Sequence, residues 1–247
     1  MHVRVILPII GQQLVELVET EVGAWAGQST TVDVVPLAWG PASIECEYDE
    51  ALAAPGILER VMEANSDGAD AIFISCGADP AVQAAREISS IPVVGGFEPA
   101  MLTALTLGET VAILQVLPNV VPMLRALARR YALDERLGPI RVIDLPVLGL
   151  DDDETLVDRL FEQAKAVVDE GAADVLVLGC TGMLGVAATL QERLAAAGAA
   201  VPVVDPTAAA VTWLESAVRL GLHPSRTTYL TPPPKTRVLR SAATSGA

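Results

Sequence analysis

Short, unbroken runs of β-branched residues alternate along the chain with longer alanine-rich stretches of mixed polarity. The runs are Val3–Leu7, Thr31–Val35, Ala71–Ser75, Pro92–Val94, Val111–Gln115, Arg141–Asp144, Val175–Leu178 and Pro202–Val204. Continuous apolar runs of this length fit parallel strands covered on both faces. Between them, Pro55–Asn65, Ala81–Ile88, Val120–Tyr131, Glu154–Glu170, Leu184–Ala197 and Ala208–Leu220 read as helices. Asp151 or Asp152 is the natural N-cap of the fourth. The alternation predicts the α/β class with right-handed crossovers.

A longer repeat organises these elements. Gly68-Ala-Asp-Ala-Ile-Phe-Ile-Ser-Cys76-Gly-Ala matches Gly171-Ala-Ala-Asp-Val-Leu-Val-Leu-Gly-Cys180-Thr-Gly. Each copy holds a helix end, an Ala-Asp step, a buried strand and a cysteine at the strand's C-terminal end. Each runs on through a helix to a Pro-Val-Val strand, at Pro92 and at Pro202. Two lobes related by a pseudo-twofold axis are therefore expected, each a four-stranded, largely parallel sheet flanked by helices, with the active cleft between them. Lobe 1 is assigned to residues 1–105 and lobe 2 to 106–207, with the link near Thr103–Glu109. A helix over about 208–222 is a candidate to pack back on lobe 1. The tail from 232 to 247, opening on three successive prolines, is a poor candidate for either regular structure.

Composition removes several function classes. The chain has 247 residues, with 16 Lys+Arg against 31 Asp+Glu and a formal charge of −15. That balance argues against nucleic acid and against an anionic membrane surface, both of which need clustered cations. Only two histidines occur, His2 and His223, which leaves little for His-based metal sites or a Ser-His-Asp triad. The acidic run Asp151-Asp-Asp-Glu154 lacks the spaced ligands of a calcium loop, so no metal is expected there. Three widely spaced cysteines, Cys46, Cys76 and Cys180, suit free thiols in a reducing cytoplasm. The first residues, MHVRVILPII, lack the apolar core and cleavage site of a signal peptide.

The repeated cysteines carry the chemistry. Ligands of open α/β sheets bind beyond the carboxyl ends of the strands, where both Cys76 and Cys180 fall. Small residues follow each, Gly77-Ala78 and Thr181-Gly182. Their backbone N–H groups can form an anion-binding nest, expected to lower a thiol pKa from the ordinary ~8.5 toward neutrality. A lone cysteine ending an apolar strand is usually a packing residue, and Cys46 receives that reading. Two thiols at equivalent positions of two facing lobes instead suit a two-base racemase. One removes a proton next to a carbonyl and the other returns one to the opposite face, without metal or organic cofactor.

Gly40-Pro-Ala-Ser-Ile-Glu45, Tyr48-Asp-Glu-Ala-Leu, Pro55-Gly-Ile-Leu-Glu59, Cys76-Gly-Ala-Asp-Pro80, Pro92-Val-Val-Gly with Glu98 and Ala100, Leu178-Gly-Cys-Thr-Gly-Met183, and Leu220-Gly-Leu-His-Pro-Ser225 with Lys235 are similar to segments of a known family. Together they resemble the hydantoin racemase branch of the aspartate/glutamate racemase superfamily. The resemblance spans about residues 1–237. It implies a cofactor-independent racemase of 5-substituted hydantoins, including allantoin, with Cys76 and Cys180 as catalytic pair, in a homo-oligomer. It also brings Ser43 and Glu45 toward the cleft. Two strand ends depart from the family pattern. The usual Asn-Pro-Asn-Thr/Ser is Leu7-Pro8-Ile9-Ile10 here, and a usual Thr-Thr pair is Gln115-Val116.

Both strand ends are expected to face the cleft and make it more apolar. The expected small-molecule site thus comprises Pro8, Ile9, Ile10, Ser43, Gly77, Ala78, Gln115, Val116, Thr181 and Gly182 around the two cysteines. Thr181 either bonds a substrate carbonyl or caps the next helix, and Glu98 is either a cleft residue or, by default, a helix N-terminal carboxylate. Two rivals remain: decarboxylation or cis–trans isomerisation of a small dicarboxylate on the same fold, and a non-catalytic binding protein with inert thiols. No arginine near either cysteine is at hand to pair a second carboxylate.

Overall fold

The computed structural model describes residues 1–150 and 152–237. Strands β1 (His2–Leu7), β2 (Thr31–Pro36), β3 (Ala71–Ile74) and β4 (Val93–Val94) form one parallel sheet in the order β2-β1-β3-β4. Strands β5 (Val111–Gln115), β6 (Leu137–Val142), β7 (Val175–Leu178) and β8 (Val203–Val204) form a second in the equivalent order, β6-β5-β7-β8. The central strands β1, β3, β5 and β7 are buried almost throughout, which is why their sequences run apolar without alternation. Val5 lies between Val34 and Phe73, and Ile113 between Ile140 and Val177.

Eight α-helices are described: α1 (Val15–Trp25), α2 (Glu47–Ser66), α3 (Val82–Ile88), α4 (Phe97–Ala104), α5 (Val121–Arg130), α6 (Asp153–Asp169), α7 (Val186–Ala196) and α8 (Pro206–Arg219). The last helix of each half crosses to the other half. Helix α4 follows the first sheet yet packs against β7 and β8 of the second. Helix α8 follows the second sheet yet packs against β3, β4, α1 and α4. This exchange seats the two sheets against each other. Two buried aspartates cap the exchanged helices: Asp79 accepts N–H bonds from Phe97 and Glu98 of α4, and Asp205 from Thr207 and Ala208 of α8.

Several elements differ from the sequence reading. Helix α2 begins at Glu47 and carries Pro55 inside it. Glu47, Asp49 and Glu50 in its first turn favour that start electrostatically, and one missing N–H does not end a helix held by Ala53, Ile57 and Val61 in the core. Strand β6 covers Leu137–Val142 rather than Arg141–Asp144. Gly138 and Pro139 resemble a turn, but β6 is an edge strand, where a proline is tolerated. Helices α1 and α4 are not foreseen by the hydrophobic runs, because valine crowds the first and the second is short. Asp152 caps α6 by accepting from the Thr155 backbone and hydroxyl. Asp151 and residues 238–247 of the expected tail lie outside the described residues. No described helix is long and apolar enough to cross a membrane.

Candidate active site

Strands β3 and β7 each end in a turn that leaves the sheet at a cysteine. The Cys76 N–H donates to the Ile74 carbonyl, and the Gly179 N–H, one residue before Cys180, donates to the Leu114 carbonyl at 2.7 Å. The two turns meet backbone to backbone. A Cβ placed on Gly77 would lie 2.1 Å from the Gly179 carbonyl oxygen and 3.3 Å from the Cys180 Cα. Gly96 makes a second close approach: its N–H donates to the Cys76 carbonyl at 3.0 Å, and a Cβ there would meet Thr181 Cγ2 at 3.0 Å. Contact with backbone requires glycine at 77, and at Gly96 an added Cβ would be tight against the Thr181 methyl; the result is a short bridge between the lobes.

That bridge brings both thiols onto one cleft of about 580 Å³. Leu7, Pro8 and Ile9 at the end of β1, with Ser75 and Cys76 after β3, form one side. Cys180, Thr181 and Gly182 form the other, joined by Leu184 and Gly185. Leu14, just before α1, and one face of α1 with Leu17, Val18 and Glu21 supply a third side, and the turn after β6 supplies Val147, Leu148 and Leu150. Among the described lining residues the only formally charged side chains are Glu21 and Asp153, and none is Lys or Arg.

Each sulfur receives one backbone hydrogen bond from the residue two positions on. The Gly182 N–H points at the Cys180 Sγ over 3.3 Å, and the Ala78 N–H serves Cys76 in the same way. The expectation that such a nest lowers the thiol pKa is not met. Burial penalises the thiolate more than one N–H bond stabilises it, so the Cys180 thiol is pushed up to about 11. Cys76 is pushed further in the same direction by burial, with Cys180, Glu50 and Asp79 adding to it. Both cysteines also sit several residues before the next helix, α3 or α7, outside the reach of the helix N-terminus.

The residues named from sequence fall into two groups. Pro8, Ile9, Cys76, Cys180, Thr181 and Gly182 line the cleft. Thr181 does not cap the next helix, because α7 begins at Val186 with Gly185 at its N-cap. Ile10, Ser43, Gly77, Ala78, Gln115 and Val116 are placed outside the lining. Ile10 turns outward, 46% exposed, with its N–H on the Pro41 carbonyl. Gly77 is consumed by the contact with Gly179, and Ala78 is buried while its N–H serves the sulfur.

Gln115 and Val116 are buried beneath the Cys180 turn. The Gln115 amide donates to the Gly179 carbonyl at 2.9 Å, and its Oε1 accepts the Val116 N–H at 2.6 Å. This strand end braces the turn instead of presenting donors to a ligand. Cys46 is the N-cap residue of α2, and its thiol donates to Asp49. Glu98 sits in the first turn of α4, paired with Arg86 at 2.5 Å.

Sequence reasoning missed the α1 face and the 147–150 turn. The spacing of Leu14, Leu17, Val18 and Glu21 is a helical signal that points to the first of these walls. Nothing local marks the second.

Comparison with known proteins is consistent along nearly the whole chain. Residues 3–214 match the model of the family described as Asp/Glu/Hydantoin racemase. The hydantoin racemase of Pseudomonas sp. (strain NS671) is 34% identical over 92% of this chain and 89% of its own length. The structure of allantoin racemase from Klebsiella pneumoniae superposes with a TM-score of 0.90 at 33% identity, covering 96% of each chain. The allantoin racemase from Pseudomonas fluorescens gives 0.90 at 30% identity, over 96% of this chain and 100% of that one.

Proposed function

The chain belongs to the Asp/Glu/hydantoin racemase family, a racemase and hence an isomerase, and we propose that it racemises a 5-substituted hydantoin by two-base proton transfer between Cys76 and Cys180. The observation that carries this reading is the pair of strand-end sulfurs, equivalent in two matching lobes, lining one cleft. One cysteine, as thiolate, removes the proton at ring carbon 5, and the electron pair moves onto the neighbouring carbonyl oxygen as an enolate. The other cysteine, as thiol, returns a proton to the opposite face. The two sulfurs end with their protonation states exchanged, so the same cleft works in both directions.

Burial raises both thiols, so whichever sulfur becomes the thiolate does so against desolvation. The N–H groups of Ala78 and Gly182 stabilise whichever sulfur is charged. Ser75 and Thr181 line the cleft and are the hydroxyl-bearing residues there that a ring carbonyl can use. The wall of Leu14, Leu17, Val18, Leu148 and Leu184 suits an apolar substituent at carbon 5. The lack of any cation in the described lining works against the dicarboxylate rival.

Hydantoins bearing benzyl, isobutyl and ureido substituents, incubated in heavy water, test the reading through deuterium entry at carbon 5 and loss of optical rotation. Wild type should do both. Cys76→Ser and Cys180→Ser should each lose racemisation, and one can retain exchange on a single enantiomer. Wild-type racemisation by either variant sinks the two-thiol mechanism.

A further inference from the structure

The 147–150 turn forms one side of the cleft but belongs to lobe 2, and Leu148 within it is 59% exposed. Its own lobe holds it by the Leu145 N–H on the Val116 carbonyl, by the Gly149 N–H closing the turn on the Pro146 carbonyl, and by the buried Leu150. A further bond comes from across the cleft. The Val147 N–H donates to Glu45 Oε1 at 2.8 Å, between residues 102 apart in sequence. Glu45 sits in the loop between β2 and α2, next to the cleft residue Ile44. That loop is tied to the catalytic end of β1 through the Leu37 N–H on the Ile9 carbonyl and the Ile10 N–H on the Pro41 carbonyl. It is secured at its other end by the Glu45 N–H on Asp49. Hydrogen bonds at Leu37, Pro41 and Glu45, joined by the chain between them, thus link the end of β1 to the far wall.

We propose that Glu45 is a positioning residue, latching the 147–150 turn of lobe 2 to lobe 1 so that the cleft wall stays closed beside the two thiols. The inference rests on the racemase reading only for its kinetic consequence. Glu45 acts through the Val147 amide and has no need to touch substrate. Its negative charge also raises the Cys180 thiol further, beyond what burial does. The other titratable groups on the cleft wall are Cys76, Glu21 on α1 and Asp153 at the start of α6. Neutralising Glu45 removes one negative charge from this set while an amide keeps the acceptor oxygen.

The latch is read first without substrate, by hydrogen exchange at the Val147 amide. Glu45→Ala is expected to speed that exchange by about tenfold or more, since a charge-assisted bond is lost. Glu45→Gln, whose amide oxygen accepts the same bond, is expected to stay within about threefold of wild type. In a Cys76→Ser background, alkylation of Cys180 by iodoacetamide should shift its pH midpoint downward in both Glu45 variants. In turnover, Glu45→Ala should raise KM more than it changes kcat, and Glu45→Gln should restore KM. Unchanged Val147 exchange in Glu45→Ala overturns the latch. So does failure of Glu45→Gln to restore protection, because a loss common to both is a folding defect of the loop. If no hydantoin is turned over at all, the racemase reading fails while exchange and alkylation still decide the latch.

Discussion

Replacing Gly77 with alanine probes the contact that makes one site out of two lobes. The new Cβ would sit 2.1 Å from the Gly179 carbonyl oxygen and 2.8 Å from its carbon, against backbone that has no rotamer to yield. Restoring an ordinary contact requires the Cys76 and Cys180 turns to separate by about 1 Å, and misplacement on that scale costs about 100-fold in rate. Overpacking of this kind also costs about 1–3 kcal/mol of stability. At about 2–4 °C per kcal/mol for a chain of this size, Tm falls by several degrees. Deuterium exchange at carbon 5 and thermal unfolding by circular dichroism are measured together. Gly23→Ala is the control, since a Cβ there meets nothing within 4 Å and alanine favours the α1 helix. A Gly77→Ala protein with wild-type rate and Tm would refute the claim that backbone contact between the turns sets the spacing of the thiols.

Gln115→Leu removes the bond to the Gly179 carbonyl and leaves the buried Val116 N–H without its acceptor. A loss of about 1–3 kcal/mol in urea unfolding is expected, with a fall in kcat as the Cys180 turn loosens. Leu17→Asp adds a carboxylate to a wall that already holds Glu21 and should raise KM for a benzyl-substituted hydantoin far more than kcat changes; an equal KM removes α1 from the site. Burial pushes the Asp79 carboxyl up to about 6 from an ordinary 3.8, with its bonds to Phe97, Glu98 and Tyr131 only partly offsetting this. A raised folded pKa means stability present below pH 3.8 and lost as pH rises through about 6. Asp79→Asn should therefore gain on wild type across that window, by on the order of 3 kcal/mol. Parallel stability curves for the two proteins would show that Asp79 does not titrate as described.

Much of the fold is legible because parallel strands buried on both faces leave unmistakable runs. Ala71–Ser75 and Val175–Leu178 read as strands at once, and both are central strands of matching sheets. Edge strand β6 and helix α1 are less legible, since each is only partly buried and its pattern is correspondingly mixed. The cysteines stood out through the repeat, and both line the cleft. Gln115 stood out as a departure from a family pattern, but its side chain turned inward to the Gly179 carbonyl. A sequence position at a strand end does not say whether a flexible amide faces ligand or backbone.

The amino-acid order alone determined the element types over most of the chain, the two-lobe repeat and the placement of one thiol at each repeated strand end. These are short-range properties, set by which residues can be buried on a strand or a helix face. Tertiary structure decided the rest. Helices α4 and α8 change lobes, and Gly77 lies against Gly179. Glu45 reaches Val147, and both thiols are held above their ordinary pKa. Each of these depends on what another segment, often a hundred residues away, brings to the same few ångströms. Steric fit and desolvation arise only when that segment arrives.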